Sequence, residues 1–311
     1  MRIDTRGGPC GGRLINGLCV WLAACSLFPL PALSEIRVAD DAGRQVILAA
    51  PAQRIVSLAP HITELLFAAG AGGALVGVSE YSDYPVAARG IQRIGGGGGL
   101  DLERILALHP DLVVAWQSGN PAGQVQRLRD LGLTVFVSEP RSLAAIPLTI
   151  DRLAQLAGTE TAALPVIDDF NRRLAALRQD YGGRAPVRVY YQIWDRPLMT
   201  VNGTHLISDA MRLCGGRNVF AGLPELAPHI SIEAVLQRDP QVIVVAAGRD
   251  EAGRQLVPWR RWTRLAAVSQ GHLYEIDRDL LVRHTPRILD GAQLLCRILD
   301  RVRAGGLQEG R

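Results

Sequence analysis

Two stretches of the chain carry one pattern of apolar and polar positions. Residues 100–115 read LDLERILALHPDLVVA and residues 230–245 read ISIEAVLQRDPQVIVV. In each, a polar residue that can cap a helix (Asp101, Ser231) precedes a short amphipathic helix with a Glu in its first turn (Glu103, Glu233). A Leu follows (Leu106, Leu236), Pro110 or Pro240 ends the helix, and a β-branched apolar run reads as a buried strand. Repeats of a solenoid recur every 20–50 residues, far closer than these two. The duplication predicts two similar α/β lobes, with a ligand cleft between them.

The rest of the pattern agrees. Residues 36–38 and 45–48 flank ADDAGR and predict a hairpin. Strands are expected at 54–59, 75–78, 112–116 and 134–137, with helices at 62–69 and 122–131, an alternation that implies parallel strands with helical crossovers. From Leu143 to Tyr181 the pattern turns helical, and Leu164, Ile167, Phe170, Leu174, Leu177 and Tyr181 fall on one face. That segment reads as a rigid helix joining the lobes. The second lobe then runs through a strand at 187–193, a helix at 208–213 closed by Gly215, the second repeat, a strand at 273–276 and a last helix from Pro286 to about Arg303. The expected organisation is a leader at 1–34, a first lobe at 35–158, a linking helix at 159–183 and a second lobe at 184–311.

The first 34 residues resemble an export signal. Arg2, Arg6 and Arg13 precede an almost wholly apolar stretch, and Ala32-Leu33-Ser34 fits a small-x-small cleavage site. Asn16, Pro29 and Pro31 argue against a stable membrane span. Leu22-Ala23-Ala24-Cys25 has the form of a lipidation site, but the apolar SLFPLPALS after it is unlike the polar linker of a tethered protein. A soluble periplasmic product is expected, with a lipid anchor at Cys25 as the alternative. Only Cys214 and Cys296 remain after cleavage, so an oxidising compartment favours a disulfide over two separate buried thiols. All 34 basic residues are Arg, yet the net charge is only +4 and they lie scattered among acids, which argues against nucleic acid.

No motif of an enzyme survives. GxxxxGK, GxSxG, HExxH and CxxC are all missing from the sequence, and the glycines at 95–99 lack the order of a dinucleotide fingerprint. The six His residues show no metal-ligand spacing, and no metal or cofactor is expected. His109 reads as a surface residue, whereas His61 and His284 fall in loops that can face the cleft. Tyr81, Tyr84, Trp116 and Trp194 lie at or just beyond strand ends, where loops ring the ligand crevice of parallel sheets and aromatic faces suit flat, partly apolar ligands. Ordinary packing is the alternative for each. Trp259 and Trp262 are expected on a helix against the second lobe.

Beyond pattern, RIVSLAPHITELLFAAGAG (54–72), VGVSEYSDYP (76–85), LDLERILALHPDLVVAW (100–116) and TPRILDGAQLLC (285–296) resemble the periplasmic cobalamin-binding proteins of ABC importers, within a wider family that also binds haem and ferric siderophores. The resemblance runs from Ile36 to about Arg303. It implies two α/β lobes joined by one long helix that close little on binding. It implies a non-catalytic, monomeric receptor for cobalamin or a related corrinoid. Tyr81 and Trp116 would contact the corrin, with Asp279, Leu280, Leu281, Val282 and Arg283 a second-lobe loop on the ligand. Trp194 would add aromatic surface. Glu103 and Glu233 would engage Arg residues of the importer's membrane subunits, and Cys214 and Cys296 would pair. The chain departs from the enterobacterial pattern where Trp is replaced by Gly97, Ala227 and Leu280. Haem held through His61, His284 or Tyr81, a ferric siderophore, and an exported tetrapyrrole-acting enzyme are the rival readings.

Overall fold

The computed structural model describes residues 35–96, 99–248 and 253–306. The leader with Cys25, and Gly97, lie outside them. The chain opens with an antiparallel hairpin, β1 (Ile36–Ala39) and β2 (Gln45–Leu48), turned by Gly43 at φ 78°. It continues through β3 (Ile55–Ser57), α1 (Pro60–Ala68), β4 (Leu75–Val78) and a glycine hairpin of β5 (Gly95–Gly96) and β6 (Gly99–Leu100). Then come α2 (Leu102–Ala107), β7 (Leu112–Trp116), α3 (Ala122–Asp130) and β8 (Val135–Ser138). Strands β4-β3-β7-β8 form a parallel sheet whose residues are buried nearly throughout, as a sheet covered on both faces requires.

Two helices follow, α4 (Ala145–Ala157) and the 22-residue α5 (Glu160–Tyr181). Gly158, at φ 66°, stops the first helix in the left-handed conformation that glycine adopts without steric cost. The second lobe is built from β9 (Val187–Gln192), a hairpin of β10 (Trp194–Asp195) and β11 (Leu198–Met199), α6 (Leu206–Leu213) and β12 (Gly216–Asn218). It ends with α7 (Ile232–Arg238), β13 (Val242–Ala247), α8 (Val257–Arg260), α9 (Ala266–Ser269), β14 (Leu273–Asp277), α10 (Arg278–Leu281) and α11 (Ile288–Gly306). Its parallel sheet runs β12-β9-β13-β14.

The two sheets have the same order. In each, the lobe's second strand lies outside the first, and the third and fourth follow on the other side. The repeated sequence is the helix and third strand of each lobe, α2–β7 and α7–β13. Asp101 and Ser231 cap these helices, accepting from the backbone N–H of Arg104 at 2.9 Å and of Ala234 at 3.2 Å. In both units the turn between helix and strand has a non-glycine residue at positive φ just before the proline, His109 at 44° and Asp239 at 41°. His and Asp are among the residues that tolerate this region best.

The core does not stop at the lobe boundary. One apolar cluster runs from Val38 through α1, α4 and α5 to α6, β13 and α11. Cys214, just past α6, and Cys296 on α11 form a disulfide inside it, with a Cα–Cα distance of 4.7 Å. Trp259, buried on α8, joins a second apolar cluster of the second lobe with Tyr190, Phe220 and Val245, and Trp262, just beyond that helix, packs against it. The sequence pattern does not disclose the hairpins β5–β6 and β10–β11, the strand β12 (Gly-Arg-Asn) or the helical turns α9 and α10.

Candidate functional site

In an open parallel sheet, ligands bind beyond the carboxyl ends of the strands where the strand order reverses. Here that point lies between β3 and β7 in the first lobe, and between β9 and β13 in the second. Of the expected binding residues, Trp116 ends β7 and Trp194 follows β9, while Tyr81 follows the outer strand β4 and Asp279–Arg283 follow the outer strand β14. The loop after β4 carries Tyr81, held in the left-handed region at φ 62° with 77% of its surface exposed. An aromatic residue in that conformation is strained, and such strain persists only where the surroundings enforce it. They do so through a buried hydroxyl network. Thr63 Oγ1 donates to Ser57 Oγ at 2.9 Å and lies 3.0 Å from Ser82 Oγ, and Ser79 Oγ is 3.2 Å from Ser82 Oγ. Arg93 Nη1 donates to the Ser82 carbonyl at 2.9 Å. The residue after Tyr81 is thus bolted down while the phenol projects outward.

Trp116, at the end of β7, is half-buried. Its backbone N–H donates to Asn120 Oδ1 at 2.7 Å, and a Cβ at Gly119 would lie 1.8 Å from the indole, so only glycine fits there. The ring meets His61 edge-on at a centroid distance of 4.9 Å and His284 at 6.4 Å. His61, from the start of α1, and His284, from the loop after α10, are buried rather than facing a cleft; burial lowers the pKa of each, that of His284 to about 4. His205 joins them, 5.3 Å from His284, and its Nδ1 caps α6 by accepting from the Ile207 N–H. On the other lobe, Trp194 is exposed, with the Arg278 guanidinium 5.3 Å from its ring centroid.

The segment Asp279–Arg283, expected as a ligand loop, is largely the helical turn α10. Its five residues divide. Leu281 is wholly buried in the core, and Leu280 and Val282 pack against that core, so their side chains serve folding. Asp279 and Arg283 are one helical turn apart on the open side, with Arg283 Nε 2.9 Å from Asp279 Oδ1. Burial raises the Asp279 pKa, against the pull of Arg283.

Arg283 also reaches across to the first lobe. Its Nη1 donates to Glu64 Oε1 at 2.9 Å and to Asp83 Oδ1 at 2.7 Å, and its Nη2 to the Tyr81 carbonyl at 3.3 Å. Arg287, on the segment leading into α11, adds two bonds to Glu64, Nε to Oε2 at 3.0 Å and Nη2 to Oε1 at 2.6 Å, and its guanidinium lies over the Tyr84 ring. Burial opposes ionisation of Asp83, yet the hydrogen bond and charge of Arg283 hold its pKa below the usual carboxylate value. Glu64 and Arg287 were missed in the sequence. Their signal is a lone acid inside the apolar ITELLF and a lone base in TPRIL.

Between the lobes, Asp83, Tyr84, Asp279 and Arg287 line a cavity of about 280 Å³. A larger one, about 460 Å³, lies within the second lobe beside Leu198, Pro258, Trp259 and Trp262. The smaller is the better candidate, because polar groups of both lobes converge on it; of the expected aromatics only Tyr84 lines it, and Tyr81, Trp116 and Trp194 do not. Glu103 and Glu233 stand apart from this region, exposed in the first turns of α2 and α7. Hydrogen bonds from the Glu233 backbone N–H and from Ser231 lower the Glu233 pKa. Among the described residues, no cluster of His, Cys, Asp or Glu is placed to hold a metal, and no helix is long and apolar enough to cross a membrane.

Residues 55–280 match the model of the periplasmic binding protein family. The chain belongs to that family. Its members are binding proteins, not enzymes. The vitamin B12-binding protein of Vibrio cholerae serotype O1 is 39% identical over 250 residues, which span 80% of this chain and 90% of the relative. That of Vibrio parahaemolyticus is 36% identical over 293 residues, 93% of this chain and 99% of the relative. The crystal structure of the V. cholerae periplasmic vitamin B12 binding protein BtuF superposes with a TM-score of 0.76 at 38% identity, covering 81% of this chain and 98% of that one. The periplasmic heme-binding protein RhuT of Roseiflexus follows at 0.70 and 25% identity, covering 80% and 98%.

Proposed function

We propose that this chain captures vitamin B12 or a closely related corrinoid between its lobes and delivers it to an ABC importer. The observation that carries the reading is the likeness, over four-fifths of the chain or more, to proteins named for binding vitamin B12. The cleft supports it. Tyr81 offers an exposed ring held in place, Trp116 an indole edge, and Asp279 and Arg283 an acceptor and a donor for a ligand rimmed with amides. Trp194 extends the aromatic surface on the second lobe. Residues 1–34 would direct export to the periplasm, where the Cys214–Cys296 disulfide persists. Delivery would use Glu103 and Glu233 against Arg residues of the importer's membrane subunits.

The test is a titration of the purified chain, without residues 1–34, with cyanocobalamin and with haemin, followed by calorimetry and visible absorption. Saturable one-to-one binding of cyanocobalamin is expected. Tyr81→Ala with Trp116→Ala should weaken it by about 1–3 kcal/mol, roughly 5- to 150-fold in Kd. Haemin binding with no response to cyanocobalamin would replace this reading with a haem receptor.

A further inference from the structure

The charged network across the cleft has two unequal halves. The Glu64 side chain is 2% exposed and that of Asp83 is 49% exposed, yet both accept from the same nitrogen of Arg283. Glu64 is further held by the two-pronged contact from Arg287, and Asp83 meets Arg283 through one oxygen. A half-exposed ion pair is screened by water and easily exchanged. A buried, bidentate one is lost only by stranding charge away from water. The inter-lobe cavity of about 280 Å³ adds a demand. Pockets for drug-sized ligands span roughly 300–1,000 Å³, and a corrinoid is larger than such ligands. Seating one between the lobes therefore requires a contact across the mouth to give way.

We propose that Glu64 is a positioning residue of the ligand site. It keeps Arg283 and Arg287 docked on the first lobe while Asp83 yields its place on Arg283 to a hydrogen-bond acceptor of the ligand. The inference rests on the corrinoid reading above. It makes Glu64–Arg287 the fixed pin of the cleft and Asp83–Arg283 its exchangeable latch. The ligand then needs to break one screened contact and leaves the buried contacts intact.

The two carboxylates should respond in opposite directions, which a purely structural role for either would not produce. Wild type, Asp83→Asn and Glu64→Gln are titrated with cyanocobalamin. Lobe separation is read from spin labels at Gln126→Cys and Gln237→Cys, exposed positions on α3 and α7. Asp83→Asn should bind roughly 2- to 5-fold tighter, the scale of removing one half-exposed competing ion pair. Glu64→Gln should bind at least about 10-fold more weakly and broaden the label distances. Arg287→Lys, which keeps the charge and loses the fork, should move in the same direction as Glu64→Gln by less, and it replaces that variant if Glu64→Gln does not fold. Weaker or unchanged binding by Asp83→Asn overturns the inference, as does wild-type binding by Glu64→Gln. A wild type that takes up no corrinoid defeats the functional reading separately. The label distances then still decide: an unbroadened distribution in Glu64→Gln overturns the role of Glu64.

Discussion

At the scale of single residues, the three buried histidines carry a consequence for acid stability. His61, His205 and His284 are each under 10% exposed, and burial is the largest cause of the lowered pKa of each. The charges near them make matters worse for a proton. Arg283 faces His61, Arg141 faces His205, and His284 faces both other rings. His284 titrates near 4 when folded and near 6.5 when unfolded. The unfolded chain therefore binds more protons between these values. Stability is complete above about pH 6.5 and declines as the pH falls towards 4, by about 3 kcal/mol for His284 alone. His205 adds to this, because protonated Nδ1 can no longer accept the Ile207 N–H. Calorimetric Tm values at pH 7.5 and 4.5 should show a large drop for wild type and a smaller one for His284→Gln. Equal drops in the two proteins would count against the assignment. His61 and His284 are legible as candidates near the cleft but not as buried, because the rings that cover them, Trp116, His205 and each other, are distant in sequence and in part come from the opposite lobe. Glu64 was hidden for the same reason: its cationic partners lie more than 200 residues further along the chain.

Secondary-structure elements were legible where local chemistry decides them. The caps Asp101 and Ser231, the prolines that follow and the apolar runs of β7 and β13 are read from neighbours in sequence. Strand β12 is not, because Gly and Asn disfavour strands and the segment is recruited by pairing with β9. The turn α10 stands where a loop is expected, and Asp277 caps it by accepting from the Asp279 N–H at 3.0 Å. The resemblance puts the whole of Asp279–Arg283 on the ligand, whereas the helical turn sends Leu281 into the core. The disulfide ties the end of α6 to α11, 82 residues on. Closing a loop of that length restricts the unfolded chain by about 4–5 kcal/mol in the entropy model. Cys214→Ala with Cys296→Ala should therefore lower the urea midpoint well below that of the oxidised protein. A midpoint unchanged by the double substitution, or by reductant, would mean that the bond contributes nothing to stability.

For the whole molecule, the shared strand order of the two sheets gives meaning to the paired glutamates. Each stands in the first turn of the helix before the third strand of its lobe, and each is exposed. A helix N-terminus accounts for one acid, at roughly 0.3–1 kcal/mol. It does not by itself account for the same acid at corresponding positions of two lobes whose sequences otherwise differ. Two matched, solvent-facing carboxylates suit a partner with two-fold symmetry, each pairing with Arg on one membrane subunit. Such exposed charges would govern docking and leave ligand capture to the cleft. Glu103→Arg with Glu233→Arg is accordingly expected to abolish corrinoid uptake in vesicles carrying the cognate importer, because like charges would meet across the interface. Cyanocobalamin affinity in the same protein should stay within about 2-fold of wild type, since neither side chain belongs to the cleft network. If the acids served only to stabilise their helices, the variant would lose a little thermal stability and still support uptake. Normal uptake would therefore sink the docking role, and Glu103→Gln with Glu233→Gln, which removes the charges without reversing them, should fall between the two extremes.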